Sequence, residues 1–150
     1  MLAVGKASGP EADLVERYTE RARKAGRAMG LSRVTVREIP DSTGPRRADM
    51  EGANILSRRA RGPLIALDER GKQLDSAAFA RYFQSHADLS RDLTFAIGVA
   101  DGHGDAVRAE ADSLLSLGPM TLPHLLARVV LCEQIYRAVT LCVGHPYHRA

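Results

Sequence analysis

The last residues of the chain carry side chains that could take part in a reaction. The tail 144–150 reads GHPYHRA and follows a long apolar segment. Chain ends are usually polar and poorly ordered, whereas this one combines imidazole, phenol and guanidinium groups. The imidazole of His148 can accept a proton near neutral pH, Tyr147 can stack on a nucleic-acid base, and Arg149 can bind phosphate. The composition of the tail therefore predicts that it takes part in catalysis or binding.

A glycine-rich loop is the second candidate. Residues 98–104 read GVADGHG, between a predicted strand and a predicted helix. Glycine lets a backbone approach a ligand closely, but the spacing matches neither the GxGxxG dinucleotide motif nor a Walker A loop. The loop is therefore predicted either to bind a ligand through its backbone or to be only a tight turn.

The segment 122–143 predicts a long final helix. We expect Thr121 to cap it and Pro123 to lie in its first turn. His124 then also lies in the first turn, where the helix dipole disfavours an imidazolium ion; a histidine there is more often structural than catalytic. Cys132 and Cys142 are ten positions apart, about 15 Å along a helix, which is too far for a disulfide. We expect two buried thiols and no zinc site.

Apolar runs alternate with amphipathic stretches along the whole chain. The predicted strands are 2–4, 34–39, 63–67, 93–97 and 114–117, and the predicted helices are 10–29, 48–60, 76–83, 105–112 and 122–143. Near-continuous apolar strands between helices predict an α/β fold with a parallel sheet and helices on both faces. Such sheets bind ligands at the carboxyl ends of their strands, which here means the loops 68–71, 98–104 and 118–121.

The composition, 45% apolar and 26% charged, is that of a globular protein. No apolar stretch approaches the length of a membrane span, and the N-terminus MLAVGKASGP has too short an apolar run for a signal peptide. We therefore expect a cytoplasmic protein with a single domain, residues 1–150. The final helix is apolar on more than one face, which predicts a partner subunit covering it.

Positive charge is concentrated in the first half of the chain. The first 75 residues hold 15 Lys/Arg against 11 Asp/Glu, and the last 75 hold 6 against 7. Arginines cluster at 21–27, 46–47 and 58–61. Because the guanidinium fork suits phosphate, a nucleic-acid partner is one interpretation; solvated helix faces are the other.

The order of four motifs resembles the RlmH family. The motifs are LDERGKQL (67–74), FAIG (95–98) with its glycine loop, SLGPMTLPHLLARVVLCEQIYRA (116–138) and GHPYHR (144–149). Members are bacterial methyltransferases of the SPOUT class that act on N3 of a pseudouridine in large-subunit (23S) ribosomal RNA. The resemblance covers nearly the whole chain, and it implies a parallel-sheet α/β fold with a C-terminal trefoil knot.

The resemblance also implies a cofactor, partners and site residues. S-adenosyl-L-methionine is expected in a cleft between three loops, the partners are the 23S rRNA of an assembled ribosome and a second copy of the chain, and no membrane or metal is implied. The tail of one subunit of a homodimer is expected to complete the site of the other. The expected cofactor-binding residues are Leu67, Gly98, Leu117, Gly118, Pro119, Met120, Thr121 and Leu122, with Leu67 and Leu122 covering the adenine.

The catalytic residues implied are those of the tail. His148 is the candidate general base and His124 the second candidate, Arg149 would stabilise the developing imidate or hold phosphate, and Tyr147 would pack on the base. No metal is needed because the leaving group already carries a positive charge. The chain departs from the family at Val99, usually a second glycine, at Gly118, usually serine, and in having fewer residues before Gly5. Another RNA methyltransferase of the SPOUT class and a non-catalytic ribosome-associated protein are the alternative interpretations.

Overall fold

The computed structural model describes residues 1–31, 33–89, 92–98 and 102–147. Within these residues the strands are β1 (Leu2–Val4), β2 (Arg37–Ile39), β3 (Leu64–Gln73), β4 (Thr94–Ile97) and β5 (Ser113–Ser116). The α-helices are α1 (Pro10–Ala25), which a 3-10 turn at Gly26–Met29 extends, α2 (Arg47–Arg58), α3 (Ser76–Asp88), α4 (Asp105–Glu110) and α5 (His124–Cys142). The strands form one parallel sheet in the order β2-β1-β4-β3-β5. The predicted α/β fold with a parallel sheet is confirmed, while the knot stays a prediction.

Successive side chains of each strand point to opposite faces of the sheet, and both faces are covered. In β3, Ile65 joins the core formed with α1, α3 and α5, whereas Leu64 and Ala66 join the core formed with α2 and α4. The near-continuous apolar character of the strands follows directly from burial on both faces. The sheet thus has a three-helix layer on one side and a two-helix layer on the other.

Local signals define several helix ends. Pro10 opens α1, Glu11 and Asp13 lie in its first turn, and Gly30, with φ of +76°, ends the 3-10 turn. Asp75 caps α3 by accepting a hydrogen bond from the N–H of Ala78 at 2.6 Å. These contacts satisfy backbone groups that a helix end leaves free.

The predicted turn at 68–71 is wrong, because β3 continues through this segment. The pairing of β3 with β5 moves from Leu67↔Leu115 to Lys72↔Leu115, so residues 68–71 form a bulge within the strand. Gly71 makes this possible: a Cβ atom there would lie 2.6 Å from backbone atoms of Leu114 and Leu115. Residues 68–71 therefore have no pairing partner in β5, and Asp68, Glu69 and Arg70 line the cleft beside them.

The predicted cap of the final helix is also wrong. The helix starts at His124, and its N-cap residue is Pro123, with φ of −52° and ψ of 140°, rather than Thr121. Proline disfavours helical backbone in the residue before it, so Leu122 stays outside the helix. Smaller differences are that β2 covers only Arg37–Ile39 and that α3 extends to Asp88.

Both cysteines lie on α5 as free thiols, as predicted, although Cys142 is only partly buried. Burial raises the pKa of the Cys132 thiol to about 12, so Cys132 is an inert apolar side chain at neutral pH. Across the described part of the chain, no helix combines the length and apolar character that crossing a membrane requires.

Candidate active site at the carboxyl edge of the sheet

One cleft of about 260 Å³ lies at the carboxyl ends of β4 and β5 and at the bulge of β3, the strand between them. The carboxyl side of a parallel sheet is where such folds leave room for a ligand. The cleft is lined by all eight residues predicted to bind the cofactor, namely Leu67, Gly98, Leu117, Gly118, Pro119, Met120, Thr121 and Leu122. Its polar lining includes Asp68, Arg108 and His124. Residues far apart in sequence are therefore brought to one place.

The loop after β5 presents its backbone to the cleft. Ser116 holds its start, because its hydroxyl accepts a hydrogen bond from the N–H of Gly118 at 3.2 Å and donates one to the Gly118 carbonyl at 3.1 Å. Gly118 has φ of +132°, and a Cβ atom there would meet nothing within 4 Å. The absence of a side chain at this position leaves open space against the loop. The cleft therefore leaves backbone groups of this loop accessible, and binding S-adenosylmethionine through its adenine would use such groups.

The floor of the cleft depends on Gly98 at the end of β4. A Cβ atom at this position would lie 2.8 Å from the carbonyl oxygen of Gly102 and 3.3 Å from Nδ1 of His103. His103 is buried and its Nε2 lies 3.2 Å from the carbonyl oxygen of Ala96. Burial lowers the pKa of His103 below its usual value, which keeps the ring neutral. Sequence analysis missed His103; its only signal was a histidine enclosed by glycines after a strand.

A buried ion pair forms one wall of the cleft. Arg108 of α4 donates from Nε to Oδ2 of Asp68 at 2.7 Å, and the side chain of Asp68 is 3% exposed. Burial alone raises the pKa of Asp68, but hydrogen bonds from Arg108 and from the N–H of Arg70 outweigh it, so that this pKa is lowered. The same contact raises the pKa of Arg108. Neither residue was predicted, because they are 40 positions apart and pair only across the fold.

The structure brings His124, but not Tyr147, to the cleft of the same chain. A Cβ atom on Gly5 would lie 3.7 Å from Nε2 of His124, so the ring lies between the cleft and the end of β1. Tyr147 instead packs on α5, where its hydroxyl donates to Oε1 of Glu133 at 3.1 Å and its ring centroid is 4.5 Å from that of Tyr136. Burial, together with the Glu133 carboxylate, raises the pKa of Tyr147 to about 12. His148, Arg149 and Val99 lie outside the described residues.

Arg128 is a further residue that sequence analysis missed. It is 1% exposed, and its Nη2 donates to the carbonyl oxygens of Val4 at 3.1 Å and Gly5 at 3.0 Å. Its Nη1 lies 3.4 Å from Oε1 of Glu38. Burial lowers the pKa of Arg128, while Glu38 opposes this shift. Arg128 thus ties α5 to the end of β1 one turn after His124; an isolated charge within an apolar helical segment was the available signal.

No cluster of three or more metal-ligating side chains exists among the residues that the structure describes. The cleft therefore offers backbone groups, leucine side chains, one buried ion pair and one histidine. Such a lining binds an organic ligand with apolar and charged parts, and His124 is a group that could exchange a proton with a substrate placed there.

Comparisons with known proteins agree with this geometry. Residues 1–148 match a family model described as predicted SPOUT methyltransferase. The ribosomal RNA large subunit methyltransferase H of Chelativorans sp. (strain BNC1) is 48% identical over 152 aligned positions, which cover 98% of this chain and 88% of that protein. The protein of the same name from Rhizobium leguminosarum bv. trifolii (strain WSM2304) is 50% identical over 155 aligned positions, covering 99% and 97%.

Among solved structures, the SpoU methyltransferase AviRb from Streptomyces viridochromogenes is similar with a TM-score of 0.45 and 16% identity, covering 95% of this chain and 59% of that one. The family assignment rests on the sequence comparisons, because they span the chain almost from end to end at high identity. This chain belongs to the SPOUT methyltransferase family.

Proposed function

We propose that this protein uses S-adenosylmethionine to methylate N3 of a pseudouridine in 23S ribosomal RNA. The relatives that match it along its length are named ribosomal RNA large subunit methyltransferase H. The observation that supports the proposal most directly is the cleft at the ends of β4 and β5 and the bulge of β3, which is lined by the eight residues expected from the family resemblance.

The cofactor would lie against the loop 117–122. Backbone groups of this loop would bind the adenine and ribose, and the side chains of Leu67 and Leu122 would cover the two faces of the adenine. Apolar contact on both faces of a flat ring excludes water and contributes most of the burial energy, while backbone hydrogen bonds fix orientation. When bound, S-adenosylmethionine supplies an electrophilic methyl group carried on a positively charged sulfur.

The chain's own residues would have to remove one proton. N3 of pseudouridine carries an imide proton, and its lone pair becomes available only when that proton leaves. His148 would accept the proton, with His124 as the second candidate, and Arg149 would stabilise the negative charge that develops on the base. Tyr147 would pack against the base. General-base catalysis of this kind contributes about 10²–10⁴-fold, and positioning of the two reactants contributes much of the rest.

A homodimer would deliver the tail to the cleft. Tyr147 rests on Glu133, which is nine residues after His124 on α5 and therefore about 14 Å further along the helix axis. Its own cleft lies at the start of that helix, whereas Glu133 lies at the middle. Partly exposed apolar residues near the start of α5 offer a surface for a second copy: Met120 at 78%, Leu126 at 43%, and the half-buried Leu122, Leu125, Val129 and Val130. The tail of each subunit would then complete the partner's site.

The RNA would approach over both subunits, with the protein acting as one domain on the assembled ribosome in the cytoplasm. Arg46 and Arg47 are candidate phosphate contacts, although Arg47 also pairs with Glu51 at 3.1 Å and Asp41 at 3.5 Å. A chain of 16.3 kDa has little room for base readout, so recognition of the folded RNA by shape fits its size.

The proposal is tested by methyl transfer to ribosomes that lack the modification. Purified protein is first titrated with S-adenosylmethionine by calorimetry while light scattering gives its mass, and we expect binding by a dimer. Methylation is then assayed with wild type, with His148→Ala and with His86→Gln, a matched histidine change on α3 away from the cleft. We expect loss of at least 10²-fold for the first variant and none for the second.

Each alternative interpretation has its own result. Cofactor binding with methylation of a different RNA would indicate another SPOUT enzyme, and no cofactor binding would indicate a non-catalytic ribosome-associated protein. Methylation by His148→Ala at the wild-type rate would rule out His148 as the base while leaving the activity in place.

A further inference from the structure

The lining of the cleft combines apolar and charged side chains. The apolar ones include Leu67, Leu117 and Leu122, whereas the bulge of β3 and helix α4 contribute charged side chains. These are Asp68, Glu69, Arg70 and Arg108, two acids and two bases. S-adenosylmethionine is divided in the same way, into an apolar adenine and an amino-acid end with one carboxylate, one ammonium group and the sulfonium nearby. The inference drawn from this match rests on the proposed function.

Arg108 is held at the charged wall by a fixed partner. Its Nε donates to Asp68 at 2.7 Å, and the second oxygen of Asp68 accepts the N–H of Arg70 at 3.0 Å. Its Nη1 reaches the fully exposed Asp105 at 3.2 Å, a contact that water weakens. A guanidinium has five N–H donors, and these two contacts use two of them among the described residues. Arg108 therefore reaches the cleft with its orientation set and with hydrogen-bond donors to spare.

The position of Arg108 beside the glycine loop indicates which part of the cofactor it would contact. A Cβ atom on Gly102 would lie 3.3 Å from Nη2 of Arg108, and Gly102 itself packs against Gly98. The guanidinium is thus beside the floor of the cleft, on the α4 side of the sheet. With the adenine between Leu67 and Leu122, the amino-acid end would be the part of the cofactor that meets this guanidinium.

The surrounding charges favour a small zwitterion over RNA. Asp68 and Glu69 balance Arg70 and Arg108, so this part of the cleft offers the consecutive phosphates of a nucleic acid no excess of positive charge. A carboxylate that is accompanied by an ammonium and a sulfonium group meets complementary charges instead. We propose that Arg108 binds the carboxylate of the cofactor's amino-acid end, and that Asp68 is a positioning residue which holds the guanidinium for this contact.

The test removes the carboxylate from the ligand and the guanidinium from the protein in turn. S-adenosylhomocysteine and its decarboxylated analogue are titrated by calorimetry into wild type and Arg108→Met. We expect wild type to prefer the ligand with the carboxylate by about 10- to 100-fold, the range for a hydrogen bond between charged groups, and Arg108→Met to bind both ligands alike. Asp68→Asn should reduce the preference while leaving affinity for the decarboxylated analogue nearly unchanged.

Arg59→Met is the matched control, because Arg59 pairs with Glu110, the last residue of α4, at 3.6 Å and does not line the cleft. It should keep the full preference. If wild type itself binds the two ligands alike, the proposal is overturned without any variant. The test therefore still decides if Arg108→Met proves too unstable to measure. If Arg108→Met keeps the preference but loses affinity for the ribosomal RNA, the guanidinium serves phosphate and the proposal is equally overturned. Failure of wild type to bind S-adenosylhomocysteine at all would refute the proposed function and this inference together.

Discussion

Adding a methyl group at Gly71, as in Gly71→Ala, should disrupt the site strongly. A Cβ atom there would lie 2.6 Å from backbone atoms of Leu114 and Leu115, about 1 Å inside an ordinary contact. The obstacle is the backbone of β5 and not a side chain that could rotate away. Gly71→Ala must therefore push β3 and β5 apart at the end of the bulge that presents Leu67 and Asp68 to the cleft.

The size of the effect follows from the contacts that such a shift breaks. The pairing of Lys72 with Leu115 and of Gln73 with Ser116 lies directly beyond Gly71. Losing about two backbone hydrogen bonds costs roughly 1–3 kcal/mol, and overpacking in a closed space costs 1–3 kcal/mol by itself. We expect a loss of about 3 kcal/mol in the free energy of unfolding, which for a chain of this length lowers Tm by about 6–12 °C.

Calorimetric melting and urea unfolding measure this directly, and titration with S-adenosylhomocysteine tests the cleft. Gly52→Ala in α2 is the matched control, because its added Cβ would meet only a methyl group of Val107, at 3.2 Å, and alanine favours a helix. We expect that variant to unfold within about 1 kcal/mol of wild type. A Gly71→Ala protein that melts within about 2 °C of wild type and binds the ligand normally would refute the reasoning, since β5 would then yield without cost.

Three further predictions concern single side chains. Burial holds the pKa of His103 below its usual 6.5, so the unfolded chain takes up a proton at a higher pH than the folded chain does. Stability therefore falls as pH drops from about 7 through 6.5 and below. His103→Leu should make this fall shallower in urea unfolding at pH 7.5 and 5.5, and an unchanged dependence on pH would contradict the prediction. Arg128→Met leaves the carbonyls of Val4 and Gly5 unsatisfied and should cost about 3 kcal/mol in the same assay, whereas a loss below 1 kcal/mol would mean that water replaces the guanidinium. Tyr147 should ionise near pH 12; the difference between ultraviolet titrations of wild type and Tyr147→Phe isolates this phenol, and Glu133→Gln should move its titration to lower pH because it removes the neighbouring carboxylate.

The amino-acid sequence by itself determined the elements and the place of the site. Strands such as β4 were predictable because a strand buried on both faces must be apolar along its length, and the helix end at Gly30 was predictable because a glycine there acts on neighbouring backbone. Since a parallel sheet gathers its carboxyl ends at one edge, the loops after β4 and β5 could be assigned to one site. The motif order then supplied the family, and with it the expected ligand.

Tertiary structure alone decided which side chains meet. Sequence analysis took 68–71 for a turn, because the close approach of Gly71 to β5 depends on a neighbour more than 40 positions away. The pairing of Asp68 with Arg108 and the bonds from Arg128 to the end of β1 span 40 and 124 positions. Local propensity acts over a few residues, whereas these contacts depend on strand order and register. The polar wall and the buried guanidinium therefore became visible only when the sheet was assembled.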